Sequence, residues 1–219
     1  MIKVRDIFIK KYSCYIVKLT RVEWYGINTK RNTFKMIRVV GNNEPIELYY
    51  TPEMYDEAVK KATEMGRLYQ SFTQGKSTWA GMLGEAIVET WVDGIITNDF
   101  QYDILTKGRT KLEVKTKKTT LLTAPPNHYE CSVCEYNYKQ NCDAYVFLRV
   151  CTLYQKSKDP AHAKAWICGW KRKDVFKEEA IYFKKGEYDE RNHYTVHANC
   201  YNMAIGDLDR LPSFEEKNI

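Results

Sequence analysis

No stretch of this 219-residue chain approaches the ~20 consecutive apolar residues that cross a bilayer, so no membrane-spanning helix is expected. The opening MIKVRDIFIKK lacks a long apolar segment followed by a small-residue cleavage site, and a cytoplasmic location is the expectation. Histidine is scarce. His128, His162, His193 and His197 are scattered, with no HExxH or HxH pair, which argues against histidine-based metal or triad chemistry. Only His128, in a loop with Asn127 and Tyr129, is placed where it could approach a phosphate. P-loop and dinucleotide glycine patterns are missing as well, so no nucleotide cofactor is expected. The seven cysteines are an odd number at irregular spacing, which favours reduced thiols over a disulfide framework. Cys131-x2-Cys134 with Cys142 invites a zinc or iron-sulfur reading. The fourth thiolate would have to be Cys14, Cys151, Cys168 or Cys200, and the gap before Cys142 fits no standard zinc spacing, so packing as small apolar side chains is expected instead.

What is present describes a folding chain: 44% hydrophobic and 28% charged residues, without repeats or low-complexity tracts. The net charge of +6 is unevenly spread. Residues 1–40 carry ten Lys/Arg against two acids, residues 41–104 four against eleven, and residues 105–118 six against Glu113 alone. Two basic segments thus flank an acidic one. Basic segments can track a phosphate backbone and clustered acids can hold a divalent cation, so a nucleic-acid enzyme is a candidate on charge alone.

Along the chain, YSCYIVKL, RVEWYGI and FKMIRVV read as a β meander with strands near 12–20, 21–27 and 33–40. Thr51-Pro52-Glu53 caps a helix that should end near Gln74-Gly75. A second helix begins near Thr78, where Trp79, Met82, Leu83, Ala86, Ile87 and Thr90 recur at helical spacing and leave Glu85 on a flank beside Gly81. Two short strands, 101–106 and 111–117, flank the connection Lys107-Gly108-Arg109-Thr110, and a long polar, proline-containing loop follows. AYVFLRVC and AWICGW read as buried strands, 173–180 as a helix, HYTVHANCY as a last strand and 205–211 as a closing helical turn. The fold class expected is α/β: a basic β-rich region over 1–50, a connecting helix over 51–75, and a mixed β-sheet flanked by helices over 76–219.

The chemistry concentrates at Asp103 and Glu113-Val114-Lys115. Period-two alternation puts Leu112 and Val114 on one face of the strand and Glu113 and Lys115 on the other. A hairpin about Gly108 brings Asp103 level with Glu113, so two carboxylates can share a hard cation such as Mg²⁺ or Mn²⁺. A lysine two positions on can orient the attacking water or neutralise charge developing on a phosphoryl group. Gly84-Glu85 on a helix, Asp103 on a strand and Glu113-Val114-Lys115 on the next resemble, in order and type, the motif of the PD-(D/E)XK nuclease superfamily. EVKTKKTT, CDAYVFLRV, AWICGWKRKDVF and the terminal NCYNMAIGDLDRL further resemble small bacteriophage-encoded members. The resemblance spans roughly residues 79–212, and Tyr102 stands where the family name has proline.

That resemblance implies a restriction-endonuclease-like sheet and a metal-dependent DNA endonuclease leaving 5′-phosphate and 3′-hydroxyl ends. Asp103, Glu113 and the Val114 carbonyl would hold the metal, Glu85 would support a second, and Lys115 would complete the catalytic set. Lys107, Arg109, Lys111, Lys117 and Lys118 surround that hairpin in sequence and are the expected DNA-backbone contacts. The alternative is a DNA-binding or decoy protein that keeps the fold without cutting on its own. For the first fifty residues two readings stay open: a basic, aromatic sheet that grips DNA through Tyr15, Trp24 and Tyr25, or a packed appendage that could serve as a homodimer face.

Overall fold

The computed structural model describes residues 45–65, 79–97 and 100–210 in full, together with the backbone of Thr78 and of three strands, β1 (Cys14–Leu19), β2 (Val22–Asn28) and β3 (Phe34–Val40). The Gln74-Gly75 helix end and the side chains Tyr15, Trp24 and Tyr25 lie outside the described residues. The three strands pair as an antiparallel meander close to the expected bounds. A fourth strand, β4 (Ile46–Tyr50), absent from the sequence reading, pairs with β3 and with the strand containing AWICGW. The meander is thereby hydrogen-bonded into the same sheet as the rest of the chain.

After β4, Thr51 caps α1 (Pro52–Met65), its Oγ1 accepting from Met54 N at 3.3 Å. The second helix, α2 (Thr78–Val92), starts where the apolar spacing begins. Two-residue strands β5 (Ile95–Ile96) and β6 (Ile104–Leu105) lead into β7 (Lys111–Thr119). Beyond it come β8 (Glu130–Cys134), β9 (Ala144–Cys151), α3 (Leu153–Ser157), β10 (Lys164–Arg172) and α4 (Lys173–Glu179). The chain then runs through β11 (Ile181–Phe183), β12 (Tyr188–Asp189), β13 (Tyr194–Thr195) and β14 (Cys200–Ala204), ending the described part in a 3₁₀ turn at Ile205–Asp207. The last strand expected over HYTVHANCY is therefore two pieces, β13 and β14, with Val196 buried between them. The polar loop after β7 holds the unexpected strand β8.

The large sheet is mixed α/β architecture: nine strands in the order β1-β2-β3-β4-β10-β9-β7-β6-β5, antiparallel throughout except where β7 lies parallel to β9. β9 is buried at all eight positions, as its continuous apolar run demands. Its side chains alternate. Ala144, Val146, Leu148 and Val150 join the core under α1 and α2, whereas Tyr145 and Phe147 join a second core with Phe176 of α4 and Met203 of β14. A small sheet, β11-β14-β8, accompanies that second core. Between Ile167 and Gly169 the pairing of β10 with β9 slips by a bulge. Gly169 has φ +145°, and a Cβ there would lie 2.7 Å from Leu208 Cβ, so only glycine admits the closing segment. No helix among the described residues is long and apolar enough to cross a membrane.

Candidate active site

The site begins with a short hairpin. β6 pairs antiparallel with β7, Ile104 facing Leu112, and the five-residue connection over 106–110 turns with Arg109 at φ 65°. Asp103 precedes β6 by one residue and its backbone is fixed on both sides: its N–H donates to Leu112 O at 2.9 Å, and its C=O accepts from Thr97 N at 2.8 Å. That register sets Asp103 opposite Glu113. The side chain is tied as well, Oδ2 accepting from Val114 N at 2.7 Å.

Glu113 is buried, its side chain 5% exposed, and Lys115 Nζ lies 2.6 Å from its Oε1. Two residues apart on one strand face, they form the pair that strand periodicity requires. Lys115 Nζ also reaches Gln140 Oε1 at 3.5 Å, and Gln140 Nε2 donates to Phe100 O at 3.0 Å. Glu113 Oε2 is buried without a hydrogen-bond partner.

Glu85 arrives from α2. A Cβ on Gly84 would lie 2.0 Å from Thr116 Oγ1, so glycine lets the helix settle directly on β7 and carries the neighbouring Glu85 to the hairpin. Burial pushes the Glu85 carboxyl up to about 8, with Asp103 and then Glu113 adding to the effect. Asp103 is pushed up to about 7, again by burial first and by Glu113 second, against the opposing pull of the Val114 N–H and Lys115. Three carboxyls therefore crowd one lysine. Such a cluster holds protons near neutrality or a cation in their place.

Oxygen donors suit Mg²⁺ or Mn²⁺, and the unpartnered Glu113 Oε2 is a buried acceptor of the kind such an ion satisfies. Among the described residues no group of three or more His, Cys, Asp or Glu side chains is placed to hold a metal ion together. The donor set that fits is accordingly Asp103 and Glu113 with the Val114 carbonyl, Glu85 standing beside it.

The basic residues separate. Lys107 is exposed and ion-paired with Asp93, Lys111 lies over the Tyr102 ring at 5.5 Å, and Lys118 lies over the Trp79 ring at 5.0 Å. Lys117, on the Glu113 and Lys115 face of β7 and opposite Lys118, is taken up further along the strand: its Nζ donates to Glu130 O at 2.9 Å and to Ser132 Oγ at 2.6 Å, under β8. Arg109 lines a broad open trough of about 890 Å³ with Arg172, Lys173, Lys177 and Tyr138. The last four were not singled out from the sequence, although the run Lys171-Arg172-Lys173 at the start of a short helix is a visible signal. The trough adjoins the site through Gln140, whose O accepts from Lys173 Nζ and whose Oε1 faces Lys115.

His128 lines a separate cavity with Lys117. The thiols disperse along the second core: Cys131 is held against Cys168, Cys134 is the cross-strand neighbour of Cys200, and Cys142 sits beside Tyr145. Comparison with protein-family models and with curated proteins gives no match for this chain.

Proposed function

We propose that the protein is a metal-dependent DNA nuclease of the PD-(D/E)XK kind, its nine-stranded sheet a variant of the restriction-endonuclease-like fold. The observation that carries this reading is Asp103 set opposite Glu113 by the hairpin register, with Lys115 Nζ 2.6 Å from Glu113 and the Glu85 carboxyl pushed up by burial and by both acids. No packing requirement accounts for three carboxyls there, because each raises the cost of ionising the next.

A bound Mg²⁺ or Mn²⁺ would supply Lewis acidity for phosphodiester hydrolysis. Asp103, locked by Val114 N–H, and Glu113, locked by Lys115, would hold it in a fixed frame. Glu85, its carboxyl pushed up by burial, Asp103 and Glu113, would be ionised by a cation bound beside it and could then take a proton from the attacking water. The Lys115 ammonium stands beside the reacting phosphate and offsets the negative charge that grows there in the transition state. Water attacks in line and the 3′-oxygen leaves, giving 5′-phosphate and 3′-hydroxyl ends. The trough lined by Arg109, Arg172, Lys173 and Lys177 is the expected path of the flanking phosphates.

Incubation of the purified chain with DNA and Mn²⁺ tests this. Cleavage that Glu113→Gln and Asp103→Asn both abolish supports the reading. Metal-independent binding without cleavage would favour a non-cutting DNA-binding role instead.

A further inference from the structure

On the same face of β7 as Glu113 and Lys115, two residues further along, Lys117 marks a second site. A cavity of about 790 Å³ opens there between β7, β8, β14 and the β12–β13 hairpin, a size typical of small-ligand pockets. Its cationic residues are Lys117, Lys118, Arg149 and Arg191, and its acids are Glu130 and Asp189. The acids are already committed. Glu130 Oε1 holds Arg191 Nη2 at 2.6 Å and its Oε2 holds Asn202 Nδ2 at 2.6 Å, while Asp189 accepts from Asn192 and from the Arg191 N–H. The positive charge of Lys117 and Arg149 has no carboxylate of its own, since both donate to the neutral Glu130 carbonyl.

Both keep donors in reserve. Lys117 uses two of its three ammonium protons, on Glu130 O and Ser132 Oγ. Arg149 is buried, and its Nε–H has no partner. An unpaired buried guanidinium proton beside a polar cavity calls for an anionic oxygen. Aromatic rings stand at the cavity's walls: His128 packs edge-on to Tyr129 at 5.1 Å, and Tyr194 to His197 at 5.1 Å. Anion donors at the floor with rings at the walls match one chemical unit, a phosphate joined to a base. Lys115 and Lys117 are about 6.6 Å apart along the strand, the scale of one nucleotide step.

We propose that this cavity takes one unstacked nucleotide of the substrate strand, with its phosphate at Lys117 and Arg149 and its base against the aromatic walls. Strands with an unpaired nucleotide next to the cleaved bond are then the preferred substrate, because a paired base must first leave its stack. The proposal rests on the nuclease reading and specifies which DNA that site accepts.

The test uses the full chain in Ca²⁺. Equilibrium dialysis measures thymidine 5′-monophosphate against inorganic phosphate, and fluorescence anisotropy measures a single-stranded oligonucleotide against the same sequence as duplex. The monophosphate is expected to bind at least about tenfold more tightly than phosphate, and single strand more tightly than duplex by a similar factor. Lys117→Met should remove both preferences, and Tyr194→Ala, at an exposed position that leaves the core untouched, should weaken nucleotide binding about threefold or more. Equal binding of monophosphate and phosphate, or wild-type binding by both Lys117→Met and Tyr194→Ala, overturns the proposal. If Lys117→Met does not fold, Tyr194→Ala decides alone. Nucleotide binding by a chain that cleaves no DNA supports the cavity assignment and overturns only the nuclease reading.

Discussion

The backbone N–H of Val114 donates a 2.7 Å hydrogen bond to Asp103 Oδ2, so the strand that carries Glu113 also fixes the carboxylate opposite it. Backbone and side chain of Asp103 are both held by β7, through Leu112 O and Val114 N. Backbone groups of β7 supply this positioning, which separates the role of the acid's charge from the role of its geometry.

Asp103→Asn keeps an oxygen that can accept from Val114 N while removing a negative charge from a crowded site. The variant should melt at or above the wild-type temperature without divalent ions. Saturating Mn²⁺ should raise the wild-type melting temperature, because a ligand at 100 times its Kd contributes about 2.7 kcal/mol. Asp103→Asn should gain far less. Differential scanning fluorimetry with and without Mn²⁺ reads both effects, and an equal gain in the variant would remove Asp103 from the metal site.

Glu85 and Asp103 are both pushed above the ordinary carboxylate range, to about 8 and about 7. A group whose folded pKa is raised contributes stability that is complete below its unfolded value and is lost as pH rises through the folded one. Without divalent metal, the protein should therefore lose stability between about pH 5 and pH 8.5. Glu85→Gln should flatten that fall by at least about 3 °C in melting temperature, the shift that roughly 1 kcal/mol gives at this chain length. A melting profile with the same slope in both proteins would contradict the coupling of the three acids.

Lys115 and Glu113 call for a different pattern. Lys115→Met should reduce turnover by about 10²- to 10³-fold, the usual cost of one donor aimed at transition-state charge. DNA affinity measured in Ca²⁺ should change little, because the interaction strengthens chiefly in the transition state. Single-turnover cleavage beside anisotropy separates the two; a variant that loses binding in proportion to rate would make Lys115 a ground-state contact.

The docking of α2 is tested at Gly84. A methyl group there meets Thr116 Oγ1 at 2.0 Å, so Gly84→Ala should force the helix off β7 and cost about 1–3 kcal/mol. Glu85 moves with the helix, so activity should fall further than stability accounts for. Adding Thr116→Ala, which removes the nearest atom, should restore part of both. Chemical denaturation and cleavage assays on the single and double variants measure this.

The trough predicts a salt effect. Arg109→Gln with Lys177→Gln should weaken DNA binding about equally for all sequences and lower the slope of log affinity against log salt by roughly 0.9 per contact on duplex, or 0.7 on single strand. Affinity measured across a salt series gives the slope directly. An unchanged slope would place the phosphates elsewhere.

How much of this was legible in the sequence depends on the range of the forces involved. α2 and the 101–117 hairpin follow from local periodicity, and the Asp103–Glu113 alignment from hairpin arithmetic, so the carboxylate cluster could be drawn from spacing. β9 and β10 were visible as apolar runs. β4 and β8 were not: Ile46–Tyr50 and Glu130–Cys134 are five-residue strands with glutamate or serine among apolar or thiol residues, and tertiary pairing rather than composition makes them strands. Lys117 shows the same limit. The sequence reading grouped it with Lys118 as a DNA-backbone contact, although alternation puts the two on opposite faces of β7. That β8 then covers Lys117 depends on residues about fifteen positions away. The cavity wall spans residues 116–202, and no local signal reports contacts of that separation.

The central claim is that Asp103, Glu113 and Lys115 form a metal-dependent phosphodiesterase site, and its most direct measurement is cleavage. The wild-type chain with Mn²⁺, given circular single-stranded DNA and supercoiled plasmid together, should cut, the single strand first, and chelation should stop it. Glu113→Gln, folded by circular dichroism, should cut neither at a detectable rate. Cleavage by Glu113→Gln at the wild-type rate, or by the wild type with all divalent ions removed, would contradict the account.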